Sequence, residues 1–377
     1  MDVAANLRGQ LVDSLLASDV LRDPRWVDAF RQVPRHVFLP GFFVQRPDGA
    51  WEPVTSAHPD HLALVYRNEV CVTQLNGDDR AWEQALATGA VTGVPTSSSS
   101  MPAIMAIMLE ALAVTPGDQV LEIGTGTGYN AALLCHALGD SRVTSIDVDP
   151  GVLRRAASRL TAAGYHPTCV AGDGEQAYAP RAPYDRILGT CAVSRIPTAW
   201  LDQTAPGGLI VTTFNRPIGA GLVRLTVHDG QATGRVLLED GRFMPLRAHR
   251  QSWADEALLN ALTAEPDTSR TTLLPSGAVV DPSSGFEFFA GLALAEVAIA
   301  ADPIRLAHPD GSWVRHRGAV VEQGGPRALW DEAEAAYRQW RSLGKPRRHQ
   351  FTFTATPTSQ YFALDNTPLT WPLLPDR

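Results

Sequence analysis

Between residues 118 and 214 short apolar runs alternate with helical segments, and this alternation limits the fold more than any other feature of the chain. The runs "QVLEIG", "RVTSIDV", "PTCVAGD", "YDRILGTCA" and "GGLIVTTF" are interleaved with "NAALLCHAL" and "GVLRRAASRLTAAG", which carry helical periodicity. Strands joined by crossover helices pair in parallel, and a parallel sheet takes apolar cover on both faces. The pattern predicts an α/β fold with a doubly wound, Rossmann-like sheet.

Upstream, residues 1–95 hold two helical patterns, the loop "RPDGAWEPVTSAHPDH", the strand-like "LALVYRNEVCVTQL" and the turn "NGDD". This block reads as an N-terminal helical segment or lid. Past about residue 250 the pattern changes to mixed helix and strand, and "HQFTFTATPTSQYFALD" alternates as antiparallel strands do. The expected organisation is a lid over 1–95, a core over 96–250 and an appended α+β domain over 251–377.

A formal charge of -8 argues against nucleic acid as a partner, because phosphate neutralisation needs a basic face. The N-terminus has no basic segment followed by an apolar core. It reads as an amphipathic helix with Leu7, Leu11, Leu15 and Leu16 on one face. Apolar stretches such as "FFAGLALAEVAIA" fall short of the roughly 20 residues that span a bilayer, so no membrane role and a cytoplasmic location are expected. The cysteines Cys71, Cys135, Cys169 and Cys191 share no metal or redox spacing and read as buried reduced thiols. His36, His58, His61 and His166 show no regular metal spacing either and read as surface or loop residues, so no metal is expected.

"VLEIGTGTGYN" places Gly124, Gly126 and Gly128 between a strand and a helix, where bare backbone can approach a ligand at the helix N-terminus. Tyr129 stands where a dinucleotide fingerprint has its third glycine, and no Lys-Ser/Thr follows as in a phosphate loop. The GxGxG form, with Glu122 before it and Asp147 at the end of the next strand, fits S-adenosylmethionine. Asp147 would grip the ribose hydroxyls and Asp173, in "AGDGEQ", the adenine amino group; Thr125, Val148 and Gly174 flank these positions. Each feature alone is also what a tight turn or a turn acid would show. Together, at three successive strand ends, they point to a cofactor site.

These motifs resemble those of the protein-L-isoaspartate (D-aspartate) O-methyltransferases over residues 8–248. "AFRQVPRHVFLPGFF" is similar to the family's "V-P-R-x-x-F-(V/L)-P" segment, "VLEIGTGTGY" to its first motif, "GDG" to its adenine loop, "YDRI" to its fourth strand and "GRFMPL" to its "RFVPL" ending. The resemblance implies a class I methyltransferase sheet using S-adenosylmethionine. It also supplies a Ser-Gln-Pro segment before a helix, which matches Ser100, Met101 and Pro102 here. Ser100 thereby takes the substrate-contacting, catalytic hydroxyl, with Ser99 and Met101 beside it as substrate-binding positions, and Met101 replaces the family's glutamine.

In "TSSSSMPAIMAIMLEAL" the serines could instead be a linker or a helix cap, and Ser97 to Ser99 read as loop. A carboxylate is already ionised at neutral pH and attacks an electrophilic methyl without a general base. The enzyme needs to orient it and exclude water, and serine hydroxyls do so without quenching it as an arginine pair would.

The family's repair enzymes end soon after "RFVPL", whereas this chain runs on from residue 249 to residue 377. "GGPRALWDEAEAAYRQWRSLGKPRRHQFTFTATPTSQYFALD" resembles the C-terminal part of methyltransferases paired with ATP-grasp ligases (graspetide systems) or with lanthipeptide synthetases. That resemblance implies a modified precursor peptide as partner, methylated on one aspartate and passing on to aspartimide and isoaspartate. Arg338, Arg341, Lys345, Arg347 and Arg348, interleaved with Tyr337 and Trp340, form a basic patch that would dock an acidic peptide, or else a solvated helix end. Isoaspartyl repair and a non-catalytic peptide-binding accessory role are the alternatives.

Overall fold

The computed structural model describes residues 2–250, 253–301 and 303–373, in two compact units. The first comprises Met1–Cys191, Pro197–Thr212 and Val227–Asp229, and the second Ala192–Ile196, Thr213–Thr226 and Gly230–Arg377.

In the first unit the chain begins with helices α1 (Val3–Ala17) and α2 (Pro24–Gln32). Leu11, Val12 and Leu15 are buried along α1, whereas Leu16 is exposed, so the apolar face is narrower than the leucine spacing suggests. Strands β1 (Gly41–Gln45) and β2 (Trp51–Thr55), helix α3 (His61–Val65), strand β3 (Cys71–Leu75), helix α4 (Arg80–Thr88), strand β4 (Pro95–Ser99) and helix α5 (Pro102–Leu112) follow. The four strands form an antiparallel sheet of order β2-β1-β3-β4. The N-terminal block is therefore not a helical lid alone, and a boundary at residue 95 would cut β4 from its partner β3.

Next come β5 (Val120–Ile123), α6 (Tyr129–Leu138), β6 (Val143–Asp147), α7 (Pro150–Ala162), β7 (Thr168–Ala171), β8 (Tyr184–Val193), α8 (Thr198–Gln203) and β9 (Thr204–Phe214). Strand β5 pairs in parallel with β6 on one side and β8 on the other, and β6 pairs in parallel with β7. The chain runs outward from β5 through β6 and β7, then returns to β8, so the order reverses beside β5. That reversal places a ligand crevice at the carboxyl ends of β5 and β6. All of β5 is buried, as cover on both faces demands. Helix α7 starts at Asp149, whose carboxylate accepts the Gly151 and Val152 N–H groups, with Pro150 in the first turn.

The second unit holds β10 (Leu222–His228), β11 (Gln231–Val236), α9 (Ala254–Thr263), β12 (Thr268–Thr271), α10 (Ser276–Val280), α11 (Glu287–Ala293), β13 (Ala298–Ala301), β14 (Ile304–Ala307), β15 (Trp313–Arg317), β16 (Val320–Gly324), α12 (Leu329–Ser342), β17 (Phe351–Ala355), β18 (Gln360–Leu364) and β19 (Thr370–Pro372). The order β12-β16-β15-β14-β13 makes an antiparallel sheet against which Leu258 of α9 packs. Strands β11, β17, β18 and β19 are antiparallel neighbours, and Phe351, Phe353 and Ala355 alternate inward as the sequence predicts. Residues 213–226 and 230–250 belong to this unit, so it does not begin at 251.

The expected basic patch keeps four of its five cations at the surface and loses Arg348. Arg348 is buried on Asp240 at 3.0 Å, Trp340 donates to the Pro346 carbonyl at 2.9 Å, and Tyr337 stacks on Trp340 and meets Phe286 edge-on. Only Arg338, Arg341, Lys345 and Arg347 of the set are exposed. Among the described residues no helix is long and apolar enough to cross a membrane.

Candidate active site

The glycine loop of the first unit is built around left-handed backbone. Gly124 (φ 102°), Gly126 (φ 53°) and Gly128 (φ 87°) all lie where a side chain is strained. A Cβ on Gly124 would sit 2.6 Å from the Thr190 hydroxyl, and one on Gly126 would sit 3.1 Å from the Ser98 carbonyl. The loop is thus a bare-backbone cradle between β8 and the serine strand β4.

Asp147, at the end of β6, is fixed by two N–H groups: Gly126 donates to one carboxylate oxygen at 2.9 Å and Asp149 to the other at 3.0 Å. The next residue, Val148, is a large apolar side chain left 39% exposed, a surface suited to a flat ring. Asp173 is exposed and accepts the Glu175 N–H at 3.0 Å, while the carbonyl of buried Gly174 is anchored by the Trp200 indole at 2.8 Å. These residues fit S-adenosylmethionine: the loop Gly124–Thr125–Gly126 for its backbone approach, and Asp147, Val148, Asp173 and Gly174 for its nucleoside end.

Glu122 differs from the expected ligand role. It is fully buried, with one oxygen accepting Asn130 Nδ2 at 2.7 Å and the other the Ser145 hydroxyl at 2.5 Å. The Ser145 hydroxyl lies 2.7 Å from that of Thr125. With its hydrogen on Glu122, Ser145 accepts from Thr125, so a chain of hydroxyls ties the loop to the buried acid. Burial raises the Glu122 pKa to about 7 against the pull of these two donors. Glu122 and Thr125 therefore brace the loop from inside, through Asn130 and Ser145, which the glycine pattern did not single out.

The serine run is a strand, not a loop. Cys71 faces Ser99 and Val72 faces Ser98 across the β3–β4 ladder, with a bulge between Val72 and Gln74. Gln74 closes the other end: its carbonyl oxygen accepts from Thr96 at 2.9 Å and its amide donates to Asp149 at 3.1 Å. Ser97 accepts from Thr73 at 3.2 Å, whereas the Ser99 hydroxyl is buried without a hydrogen-bond partner.

Nor does Ser100 cap α5. Met101 occupies the cap position without a side-chain bond, and Asn68 accepts the Ala103 N–H at 2.8 Å instead. The Ser100 hydroxyl makes no hydrogen bond among the described residues, while its carbonyl accepts from Arg35 at 3.0 Å. Arg35, fully buried, also donates to the carbonyls of Val65 (2.6 Å), Arg67 (3.1 Å) and Glu69 (3.1 Å). Gathering these carbonyls turns the chain after α3, which is why "LALVYRNEVCVTQL" is a helix and a turn before it is a strand. Arg35 is thus a positioning residue for Ser100, visible in the sequence only as one letter of the "VPRHVF" segment.

The histidines take no part. His61 is buried, against expectation, because its ring donates to the Leu39 carbonyl at 2.7 Å; His58 Nδ1 accepts the Asp60 N–H at 3.1 Å; His36 pairs with the Tyr66 hydroxyl at 2.8 Å; and His166 is exposed. Cys71 and Cys135 are buried and Cys169 and Cys191 half-buried, all as free thiols, and burial pushes Cys191 up to about 12. No group of His, Cys, Asp and Glu among the described residues could hold a metal ion.

Comparisons with known proteins agree with this geometry. The family described as protein-L-isoaspartate(D-aspartate) O-methyltransferase matches residues 76–251. The chain is 32% identical over 225 residues to protein-L-isoaspartate O-methyltransferase 2 of Archaeoglobus fulgidus, covering 58% of this chain and 84% of that protein. It is 32% identical over 252 residues to the protein-L-isoaspartate O-methyltransferase of a Picosynechococcus species, covering 66% of this chain and 93% of that one. A solved structure named protein-L-isoaspartate O-methyltransferase matches the fold with a TM-score of 0.55 at 22% identity, over 95% of this chain and 99% of that chain. Cradle, strand-end acids and sequence similarity converge on one conclusion: the chain belongs to the protein-L-isoaspartate (D-aspartate) O-methyltransferase family and is an S-adenosylmethionine-dependent carboxyl O-methyltransferase.

Proposed function

We propose that the chain methylates the side-chain carboxylate of one aspartate in a cyclised, ribosomally made peptide. The observation that carries this reading is Met101. It stands at the head of α5 beside Ser100, without a side-chain hydrogen bond, where the family pattern has a glutamine. A thioether cannot donate the amide hydrogen bonds of a glutamine, so the polar environment offered to the substrate differs from that of a repair site.

S-adenosylmethionine, when bound, supplies an electrophilic methyl group. The residues of the chain have three tasks around it. Ser99 and Ser100 offer hydroxyl donors to the incoming carboxylate, weak enough to orient it without masking its lone pairs. Arg35 fixes the Ser100 backbone, and Asn68 fixes the start of α5. Asp147 and the glycine loop hold the cofactor side. No base is required, because the attacking carboxylate is ionised at neutral pH. The methyl ester then meets the backbone N–H of the following residue: the C–N bond forms, methanol leaves with the amide proton, and the aspartimide hydrolyses to isoaspartate or aspartate.

Mass spectrometry of an aspartate-containing precursor peptide, linear and cyclised, with enzyme and cofactor, tests the reading. A gain of one CH2 on the cyclised form, decaying to a loss of one water relative to the starting peptide, supports it. Activity confined to isoaspartyl peptides would refute it and favour repair, the second reading, which the sequence similarity to protein-L-isoaspartate O-methyltransferases supports.

A further inference from the structure

The second unit carries one cation more than its own carboxylates balance. Glu287, fully buried, accepts the Gly219 N–H at 2.6 Å and pairs with Arg242 at 2.6 Å and Arg348 at 3.6 Å. Asp240 pairs with the same two guanidinium groups, at 2.8 Å and 3.0 Å. Two cations and two anions close this cluster.

Arg216 is a third guanidinium near this cluster, on which Glu287 also acts through space. One terminal nitrogen donates to the Gly291 carbonyl, and the guanidinium lies 5.5 Å over the Phe362 ring. The other terminal nitrogen, Nη1, is buried with no hydrogen-bond partner, and no carboxylate pairs with Arg216 among the described residues. Burial works against the charge, holding the pKa below its ordinary value. Glu287 acts on Arg216 through space but is already shared by Arg242 and Arg348, so this third desolvated cation is only partly compensated and a further anion would be favourable there.

The space in front of it defines the anion. Arg216 lines a cavity of about 350 Å³ whose apolar walls include Ile218, Leu292, Phe362 and Trp371. Arg250 adds a second positive group to the lining and Glu296 a negative one, the latter 3.9 Å from His308, which leaves the lining with one net positive charge. The volume suits one or two amino-acid residues rather than a whole protein domain.

We propose that this cavity is a recognition subsite for a carboxylate carried next to an apolar side chain, with Arg216 as its counter-ion. On the reading of the chain as a peptide methyltransferase, on which the occupant's origin rests, the cavity seats a residue of the peptide that is not the one methylated. A carboxylate clamped by a guanidinium has its lone pairs engaged and its nucleophilicity lowered, so anchoring and methylation fall to different carboxylates. The carboxylate comes from either an acidic side chain or the peptide's C-terminus.

Titration of the full chain without cofactor, followed by tryptophan fluorescence because Trp253 and Trp371 line the cavity, tests this. The probes are N-acetyl-L-leucine, N-acetyl-L-leucinamide and N-acetyl-leucyl-aspartic acid α-amide. The acid is expected to give a saturable change, with the leucinamide at least tenfold weaker. The aspartyl probe binding like the acid identifies a side-chain source; binding of the acid alone identifies a C-terminus. Arg216→Gln is expected to remove the preference for the acid, and Arg216→Lys to keep part of it. Equal binding of acid and leucinamide by the wild-type chain, which needs no variant to fold, overturns the proposal, as does an acid affinity unchanged in Arg216→Gln. Since no methyl transfer is read, the subsite and the peptide-methylation reading fail independently.

Discussion

Replacing Glu122 by glutamine removes a charge that the interior disfavours, and the size of the effect follows from the structure. Burial raises this carboxyl from its ordinary value near 4.5 to about 7, against hydrogen bonds from Ser145 and Asn130. Relative to the unfolded chain, the ionised form then costs the fold about 3 kcal/mol at pH above 7. The folded state binds this proton more tightly than the unfolded state, so stability falls as pH rises from about 4.5 to about 7 and the cost is complete above that. Glutamine keeps the shape and carries no charge at any pH. The stability of Glu122→Gln relative to the wild type is therefore expected to improve by about 2 kcal/mol between about pH 5 and about pH 8. Hydrogen exchange of the β5 and β6 amides in urea reads this in the first unit alone, and other titrating groups cancel in the comparison. Carbon-13 NMR of labelled glutamate is expected to show one carboxyl titrating near 7. A difference that does not change with pH, or a Glu122 midpoint in the ordinary carboxylate range, would refute the reasoning.

Other outcomes follow from single contacts. Gly126→Ala, which forces a left-handed φ of 53° on a residue whose Cβ meets the Ser98 carbonyl at 3.1 Å, is expected to lower S-adenosylhomocysteine affinity about tenfold or more by calorimetry. Gly49→Ala, with φ 84° and open space around it, serves as the strain control and is expected to leave that affinity unchanged. Arg35→Met strands four carbonyls and is expected to cost about 3 kcal/mol in thermal or urea unfolding, with Arg35→Lys only partly restoring it because an ammonium cannot fork to all four. Ser100→Ala removes a hydroxyl that makes no hydrogen bond among the described residues, so stability is expected to move by no more than about 0.5 kcal/mol while kcat/KM falls about tenfold; an unchanged kcat/KM would remove Ser100 from the site.

The parallel core was legible because its central strands β5 and β6 are buried almost throughout and its helices carry a 3.6-residue period, so β5 to β9 and α6 and α7 stand out as runs. The strand-end positions of Asp147 and Asp173 followed directly. β4 did not stand out, since four consecutive serines carry no apolar alternation; its strand character comes from pairing with β3, a tertiary cause. The segment before β3 misled for a related reason: its apolar letters suit a strand, but Arg35 collects its carbonyls into a turn. Glu122 counted toward the cofactor site because it precedes the glycine loop, whereas in the fold Ser145 and Asn130 each bond one of its oxygens. The basic stretch at 338–348 looked like one surface in sequence, yet helical geometry turns Trp340 inward and an ion pair draws Arg348 into the second unit's core. Arg216 carried no sequence signal, since its setting beside Gly291, Phe362 and Glu287 is made by tertiary packing.

The central claim, that this fold transfers a methyl group to a carboxylate, is tested most directly by the chemistry of the product. Enzyme, peptide and S-adenosylmethionine labelled in the methyl group are incubated, and the labelled peptide is exposed to mild alkali. The account predicts label released as volatile methanol, the behaviour of a carboxyl ester, and less of it transferred by Gly126→Ala at subsaturating cofactor. Label that survives alkali, as an N-methyl or C-methyl group would, contradicts it.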